Sequence, residues 1–522
     1  MKRRFLTALI ALMMLLSACA PHAPSPTSTP EPEPDYPSAP TVRQTAQPVL
    51  WQNDGRFTLR CRESDTLNPY SCATEINRLL SSLLYEPLIG LSPEFQPESA
   101  LCAAWITEDG GRSFDLTLRE GAAFSDGSEV RGWDVIYSIN RAREDSSFYA
   151  ARLRAVSDVS LSSDGVRITL SSPRPDYPAL LDIPVVKEGT AYRDVPVGSG
   201  PYLYTEEGGE RALVGNPYYP GVESLPYPRI DLADFAADSL VASFTSGALD
   251  LLISEPGVLT QPGLDGAVRR SVPTTVLHYL ALNPSVEVFS DPARRRLLNA
   301  ALKRGNLTGI LGGDATLLPL HPILPDYDED AFQAWMPEDL AAYCIEILTE
   351  DYDEDGVLEY FRSGEPTDFA FRLLVCSGSE DGTAAARSIA ADLEAVGIRA
   401  ELRMLGEEDF LRAVNRKDYD AYLASMRLTA DFDLATLFRT AGDDLLVTLA
   451  SDYNASAGEE KSEAASLLCS YCGESSCLIP LVFERRVIYR RPGEIEEMAP
   501  SWTDPFRRIR EWQLSKETED PT

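Results

Sequence analysis

The sequence predicts an α/β protein of more than one domain, and three observations carry that prediction. Phe114, Leu116 and Leu118 alternate with polar residues, the mark of a strand with one buried face. After the turn at Asp126-Gly127, Trp133, Ile136, Tyr137 and Asn140 recur at helical spacing. Phe369, Phe371, Leu373 and Val375 alternate again, a helix through Ile389, Leu393 and Val396 stops at Gly397, and residues 398–404 alternate once more. That is a βαβ unit, whose two strands are expected to pair in parallel.

The chain opens with Lys2, Arg3 and Arg4, then an apolar run over residues 5–16, shorter than the ~20 residues a membrane-spanning helix needs. This is the grammar of a secretory signal peptide over 1–18. Leu16-Ser17-Ala18-Cys19 resembles a bacterial lipobox, which implies that Cys19 is acylated and becomes the mature N-terminus. The other reading is a secreted protein whose Cys19 stays free or disulfide-bonded. Residues 19–48 are rich in Pro, Ser, Thr and Glu and read as an extended, solvated stalk. About 470 residues follow, enough for two or three domains with cores of their own.

Lys and Arg total 47 against 81 Asp and Glu, for a net charge of −34. Such a surface excludes nucleic acid as a partner. Beyond Cys19 lie Cys61, Cys72, Cys102, Cys344, Cys376, Cys469, Cys472 and Cys477. The last three crowd together, and local disulfides are expected there; a zinc site would need a fourth ligand, and no His is close.

Residues 84–144 hold five pieces in a telling order: Tyr85-Glu86-Pro87-Leu88, Ala103 with Trp105, Phe114 to Gly121, Phe124-Ser125-Asp126-Gly127, and Asp134 to Ser138. Together they resemble the family 5 extracellular solute-binding proteins, the oligopeptide-, dipeptide- and nickel-binding receptors of ABC importers. The resemblance implies a two-lobed fold like that of the periplasmic binding proteins (type II), with an extra subdomain in the first lobe. It sets lobe 1 at 49–275 with the subdomain at about 80–194, lobe 2 at 276–478, and a return segment, 479–522, on lobe 1. Where the family puts Thr or Ser to cap the helix after the turn, this chain has Arg131-Gly132, so helix entry through Ser128 is expected.

The rest of the chain continues the likeness. Leu67-Asn68-Pro69-Tyr70, after a strand over 57–61, resembles the family's opening turn at the cleft, and a helix over 74–84 follows. Val166 to Leu170 alternates as a further strand. Pro196-Val197-Gly198-Ser199-Gly200-Pro201-Tyr202 resembles Val-Gly-Thr-Gly-Pro-Tyr and reads as a hinge-side loop whose glycines allow close backbone approach. A helix over 236–247, a strand from Leu249 and a strand over 277–283 come next. The helix over 291–304 carries arginines expected to pair on the surface. Asp351, Asp353, Asp355 and Gly356 imitate a calcium loop, but Arg362 stands where its bidentate Glu belongs, so the segment reads as a solvated turn.

Ala430-Asp431-Phe432-Asp433 matches a family loop that presents a carboxylate to the ligand's α-amino group. By that resemblance Asp431 is the ligand-binding carboxylate and Asp433 the reserve, with Asn68, Tyr70, Ser199 and Tyr202 at the cleft. The alternative for the acid is a cap on the following helix. Leu478 to Phe483 resembles the family's returning strand, with Trp512 in a last helix packed on lobe 1.

The function implied is a membrane-tethered, extracytoplasmic, monomeric receptor that captures short peptides by hinge closure and serves ABC permease subunits. Within the same fold the ligand could be an oligosaccharide, haem or a nickel complex, or the receptor could sense without transport. Three histidines, His22, His278 and His321, offer little to a dedicated metal receptor. Neither G-x-S-x-G nor H-E-x-x-H occurs, so no enzyme and no cofactor are expected.

Overall fold

The computed structural model describes residues 56–514, apart from 145, 255–263, 265 and 494. The signal peptide, Cys19 and the stalk lie outside the described residues.

The first lobe holds two four-stranded sheets. In one, Thr58–Arg60 lies parallel to Arg229–Ala233, which continues antiparallel through Glu210–Gly215 to Tyr202–Glu207. In the other, the subdomain sheet, Cys102–Ile106, Ser113–Leu118, Gly165–Leu170 and Val156–Leu161 are antiparallel neighbours. The helix expected after the Asp126-Gly127 turn runs Gly132–Ala142 and packs on this sheet, burying Val135 and Ile139. Its entry is not through Ser128, whose hydroxyl and N–H both bond Asp126 within the turn. Instead the Asp134 carboxylate, three residues into the helix, accepts from the Arg131 N–H at 2.9 Å.

The second lobe is built on a seven-stranded sheet. Its spine is a pair of long antiparallel strands, Val268–Leu282 and Leu478–Arg490. Ala421–Arg427, Ala370–Cys376 and Arg399–Leu405 extend one flank, Leu251–Ile253 the other, and Gly313–Ala315 adds to the second long strand. The βαβ unit is as expected: Ala370–Cys376 and Arg399–Leu405 pair in parallel around the helix Glu380–Glu394. Both long strands reach from one lobe into the other. Their register breaks between Pro273 and Leu277, where Thr274 turns its hydroxyl to the Glu484 carbonyl at 2.7 Å. A bulge with a ring that cannot donate is the natural bending point of such a pair.

Cores follow the lobes. One cluster collects buried residues from Phe57 to Ile253 together with Ala430, Ile488, Ile495, Met498, Phe506, Ile509 and Trp512, while Ile479, Leu481, Val482, Phe483 and Trp502 belong to two second-lobe clusters. Trp512 follows a single 3₁₀ turn, Ile509–Glu511, rather than sitting inside a helix. Two further clusters fill the second lobe.

Several local expectations are corrected. The 236–247 helix divides into a 3₁₀ turn, Ala237–Ser239, and a short helix, Leu240–Thr245. The arginine-rich helix spans Pro292–Ala301; Arg294 pairs with the half-exposed Asp291 at 3.6 Å as expected, but its two neighbours turn inward. Arg295 is buried and donates to the carbonyls of Ser475 and Phe289, while Arg296 donates to that of Glu474. They satisfy carbonyls at the end of the helix Gly458–Ser475, where a cation is favoured. The local disulfides are not formed: all eight described cysteines are free. Cys469 and Cys472 sit three apart on that helix with both side chains in the core, and burial pushes the Cys469 thiol up to about 12.

Candidate functional site

Among the described residues the two lobes meet at three places, two built from charge and one from aromatic rings. At the base of the cleft, the helix Glu75–Leu84 points its N-terminus at the long strands. Its start is pinned by Asp65, whose carboxylate accepts from Ala73 N–H, Thr74 N–H and the Thr74 hydroxyl. Burial opposes that charge, yet the Thr74 and Ala73 hydrogen bonds hold the Asp65 carboxyl below its usual value. The next residue, Glu75, accepts from Arg427 at 2.9 Å and from Arg486 at 2.7 Å. Desolvation works against its ionisation, but the two guanidiniums win and bring the Glu75 carboxyl down to about 2. Arg486 is nearly fully buried and also donates to the Trp502 carbonyl. A cavity of about 10 Å³, the size of one water, lies here against Thr274, Val276, Arg427, Glu484, Arg486 and Trp502.

The second meeting place is the loop after Ala421–Arg427. Asp431 is buried and pairs with Arg174 from the subdomain, which also lies 3.2 Å from Asp433. Asp433 in addition accepts from the Ala435 N–H at 3.1 Å, at the start of the helix Ala435–Ala441. Both acids thus face Arg174 of the other lobe, and Asp433 also serves the start of the helix. Two residues on from Arg174, Asp176 reaches back to pair with Lys461 of the second lobe. Burial disfavours the Arg174 charge, but Asp431 and Asp433 outweigh it and raise the pKa of the guanidinium.

The third is apolar. Phe95, at φ +63° in the Ser92–Gln96 turn, is buried against second-lobe rings, with centroids 5.4 Å from both His321 and Phe432. Burial among these rings takes His321 down to about 4.

The remaining expected site residues lie inside the first lobe. Asn68 donates to the carbonyls of Ala191 and Arg193 and accepts from the Tyr70 N–H; the Tyr70 hydroxyl donates to the Pro184 carbonyl. Tyr202 donates to the Tyr227 carbonyl at 2.7 Å. Ser199 is fully buried, and its loop lies against the end of the helix Glu75–Leu84 rather than beside the long strands: the Gly200 N–H donates to the Leu84 carbonyl at 2.9 Å. A Cβ on Gly200 would sit 2.5 Å from the Leu84 carbonyl carbon, which is the close approach the glycines were expected to permit. Asp351, Asp353 and Glu359 bring carboxylate oxygens within 4.8 Å of one another. Asp351 accepts from the Asp355 and Gly356 N–H groups, and Glu359 from Tyr352, which is the bonding of a closed turn.

Sequence reasoning missed Arg174 and Glu75. Arg174 lies between two prolines with no pattern around it, and its partner is 257 residues away. The one available signal was a charged pair, Arg174 and Asp176, in a segment otherwise set for a turn.

Residues 96–442 match the family described as bacterial extracellular solute-binding proteins, family 5 Middle. Protein XP55 of Streptomyces lividans is 30% identical over 411 residues, covering 73% of this chain and 72% of that protein. The oligopeptide-binding protein AppA from Bacillus subtilis, solved in complex with a nonapeptide, superposes with a TM-score of 0.59 at 17% identity, covering 88% of this chain and 99% of that one. NikA from Brucella suis in complex with Fe(III)-EDTA gives 0.69 at 17% identity, over 88% and 100%. The chain thus belongs to the family 5 bacterial extracellular solute-binding proteins, as a two-lobed, non-catalytic substrate-binding protein of the ABC-importer type acting outside the cytoplasm.

Proposed function

We propose that this protein is a lipoprotein, tethered through Cys19 and the 19–48 stalk, that captures short peptides between lobes bounded near 275 and 478 and delivers them to a permease. One observation carries the reading. Ala421–Arg427 pairs with the first long strand along all its residues, but with Ala370–Cys376 only at Ala421 and Tyr422. From Leu423 to Arg427 its other edge pairs with no described strand, and it leads straight to Asp431 and Asp433. A free edge ending in carboxylates suits an extended main chain, which adds to a sheet by backbone hydrogen bonds. Bending at the Pro273–Leu277 bulge would then close the first lobe over the peptide.

In this reading Asp431 and Asp433 meet one end of the peptide, and Asn68, Tyr70, Ser199 and Tyr202, buried inside the first lobe, brace its wall from behind. The nonapeptide held by the B. subtilis protein of the same fold favours it. Native mass spectrometry of the purified protein is the test. A heterogeneous set of short peptides, lost in Asp431→Asn, is the expected result; a single glycan or a metal chelate would replace the reading.

A further inference from the structure

Arg174 is held as firmly as a core residue, although it sits on a turn. Its N–H donates to the Gly111 carbonyl at 3.0 Å, and its own carbonyl accepts from the Tyr177 N–H at 3.0 Å. Gly111 is at φ +87°, and a Cβ there would come within 2.6 Å of Pro175 N, so the two segments touch through backbone. The guanidinium carbon lies 5.9 Å from the centre of the buried Tyr177 ring. The Arg174 side chain is 17% exposed and that of Asp431 only 3%. A cation of the protein itself therefore stands on the carboxylate that, in a peptide receptor, faces the ligand's end.

Two atoms of this pair stay buried without a hydrogen-bond partner, Arg174 Nε and Asp431 Oδ1. One is a donor and the other an acceptor. An ammonium brings three donors and no acceptor, so it would meet Asp431 only by competing with a guanidinium that already neutralises it. A secondary amide brings one N–H and one C=O, which answers one free acceptor and one free donor.

Resting on the peptide reading, we propose that Arg174 is a specificity residue that bars a free terminal ammonium from Asp431 and turns this end of the cleft toward peptides whose terminal nitrogen is acylated. The partner chemistry is a neutral amide cap in place of a charged amine. Lys461, paired with Asp176, ties the Arg174 turn to the second lobe.

The test is calorimetric binding of Ala-Ala-Ala and N-acetyl-Ala-Ala-Ala to protein stripped of ligand by unfolding and refolding. Wild type is expected to bind the acetylated peptide at least tenfold more tightly. Arg174→Gln should reverse the order, and Arg174→Lys, which keeps the charge, should retain it. A wild type that prefers the free amine overturns the assignment, whether or not the variants fold; so does an Arg174→Gln protein with an unchanged ratio. Binding of neither peptide by folded wild type removes the peptide reading itself, and the assignment with it.

Discussion

Removing the Glu75 carboxylate is the perturbation the structure prices best. In Glu75→Gln the side chain keeps its size, while Arg486 and Arg427 lose the charge between them. The carboxyl titrates at about 2 in the folded protein against a usual value of 4.5. At 1.36 kcal/mol per unit this is about 3 kcal/mol, within the ~3–5 kcal/mol typical for breaking one side of a buried ion pair. The depressed value fixes the sign: the contribution is complete above about 4.5 and is lost as pH falls through about 2. By pH 3 about 2 kcal/mol of it has gone. Urea unfolding at pH 7 and pH 3 is the assay. The wild type should exceed Glu75→Gln by about 3 kcal/mol at pH 7 and by about 1 kcal/mol at pH 3. An equal gap at both values, or none at pH 7, would refute the placing of Glu75 between two guanidiniums.

Other outcomes follow from the same geometry. The Asp182 side chain is 8% exposed beside Arg152, and desolvation pushes its carboxyl up to about 6 against the pull of Arg152, so its ionised form costs stability at neutral pH. The wild-type unfolding midpoint should rise as pH falls from 7 toward 5, and Asp182→Asn should remove that rise. Phe95→Ala takes a ring out of the second-lobe cluster and should lower stability by about 3–5 kcal/mol, read by urea titration. Gly200→Ala forces a Cβ onto the Leu84 carbonyl and should cost at least about 1–3 kcal/mol or prevent folding, read by thermal melting and soluble yield.

Elements whose pattern matches their environment were legible in the sequence. Phe114, Leu116 and Leu118 alternate because one face of their sheet is buried and the other is not, and the βαβ unit around Ile389 shows both periods within forty residues. The first long strand was read only from 277 because Pro273, Thr274 and Thr275 interrupt the alternation at the bulge, and buried residues continue on both faces. The helix over 236–247 was overread because a 3₁₀ turn shares its early spacing. Helix entry at Gly132 escaped notice because the capping carboxylate lies inside the helix rather than before it.

The inter-lobe contacts were legible only in part. Asp431 drew attention because a loop of four residues resembles the family's, and Cys469 and Cys472 looked like disulfide partners because spacing alone cannot show that a helix buries both. Arg174, Lys461 and Glu75 are meaningful only through partners hundreds of residues away, and charge on a turn or at a helix start usually means solvent. Asn68, Tyr70 and Tyr202 were drawn to the cleft by likeness; their hydroxyl and amide groups are instead consumed by carbonyls of their own lobe.

A crystal structure of the protein with N-acetyl-Ala-Ala-Ala tests the central claim most directly. The expected result is an extended, intact peptide paired with the edge at residues 423–427, its acetyl end against Arg174 and Asp431, and the first lobe closed over it. Peptide density outside the space between the lobes, or a cleaved peptide within it, would contradict the account.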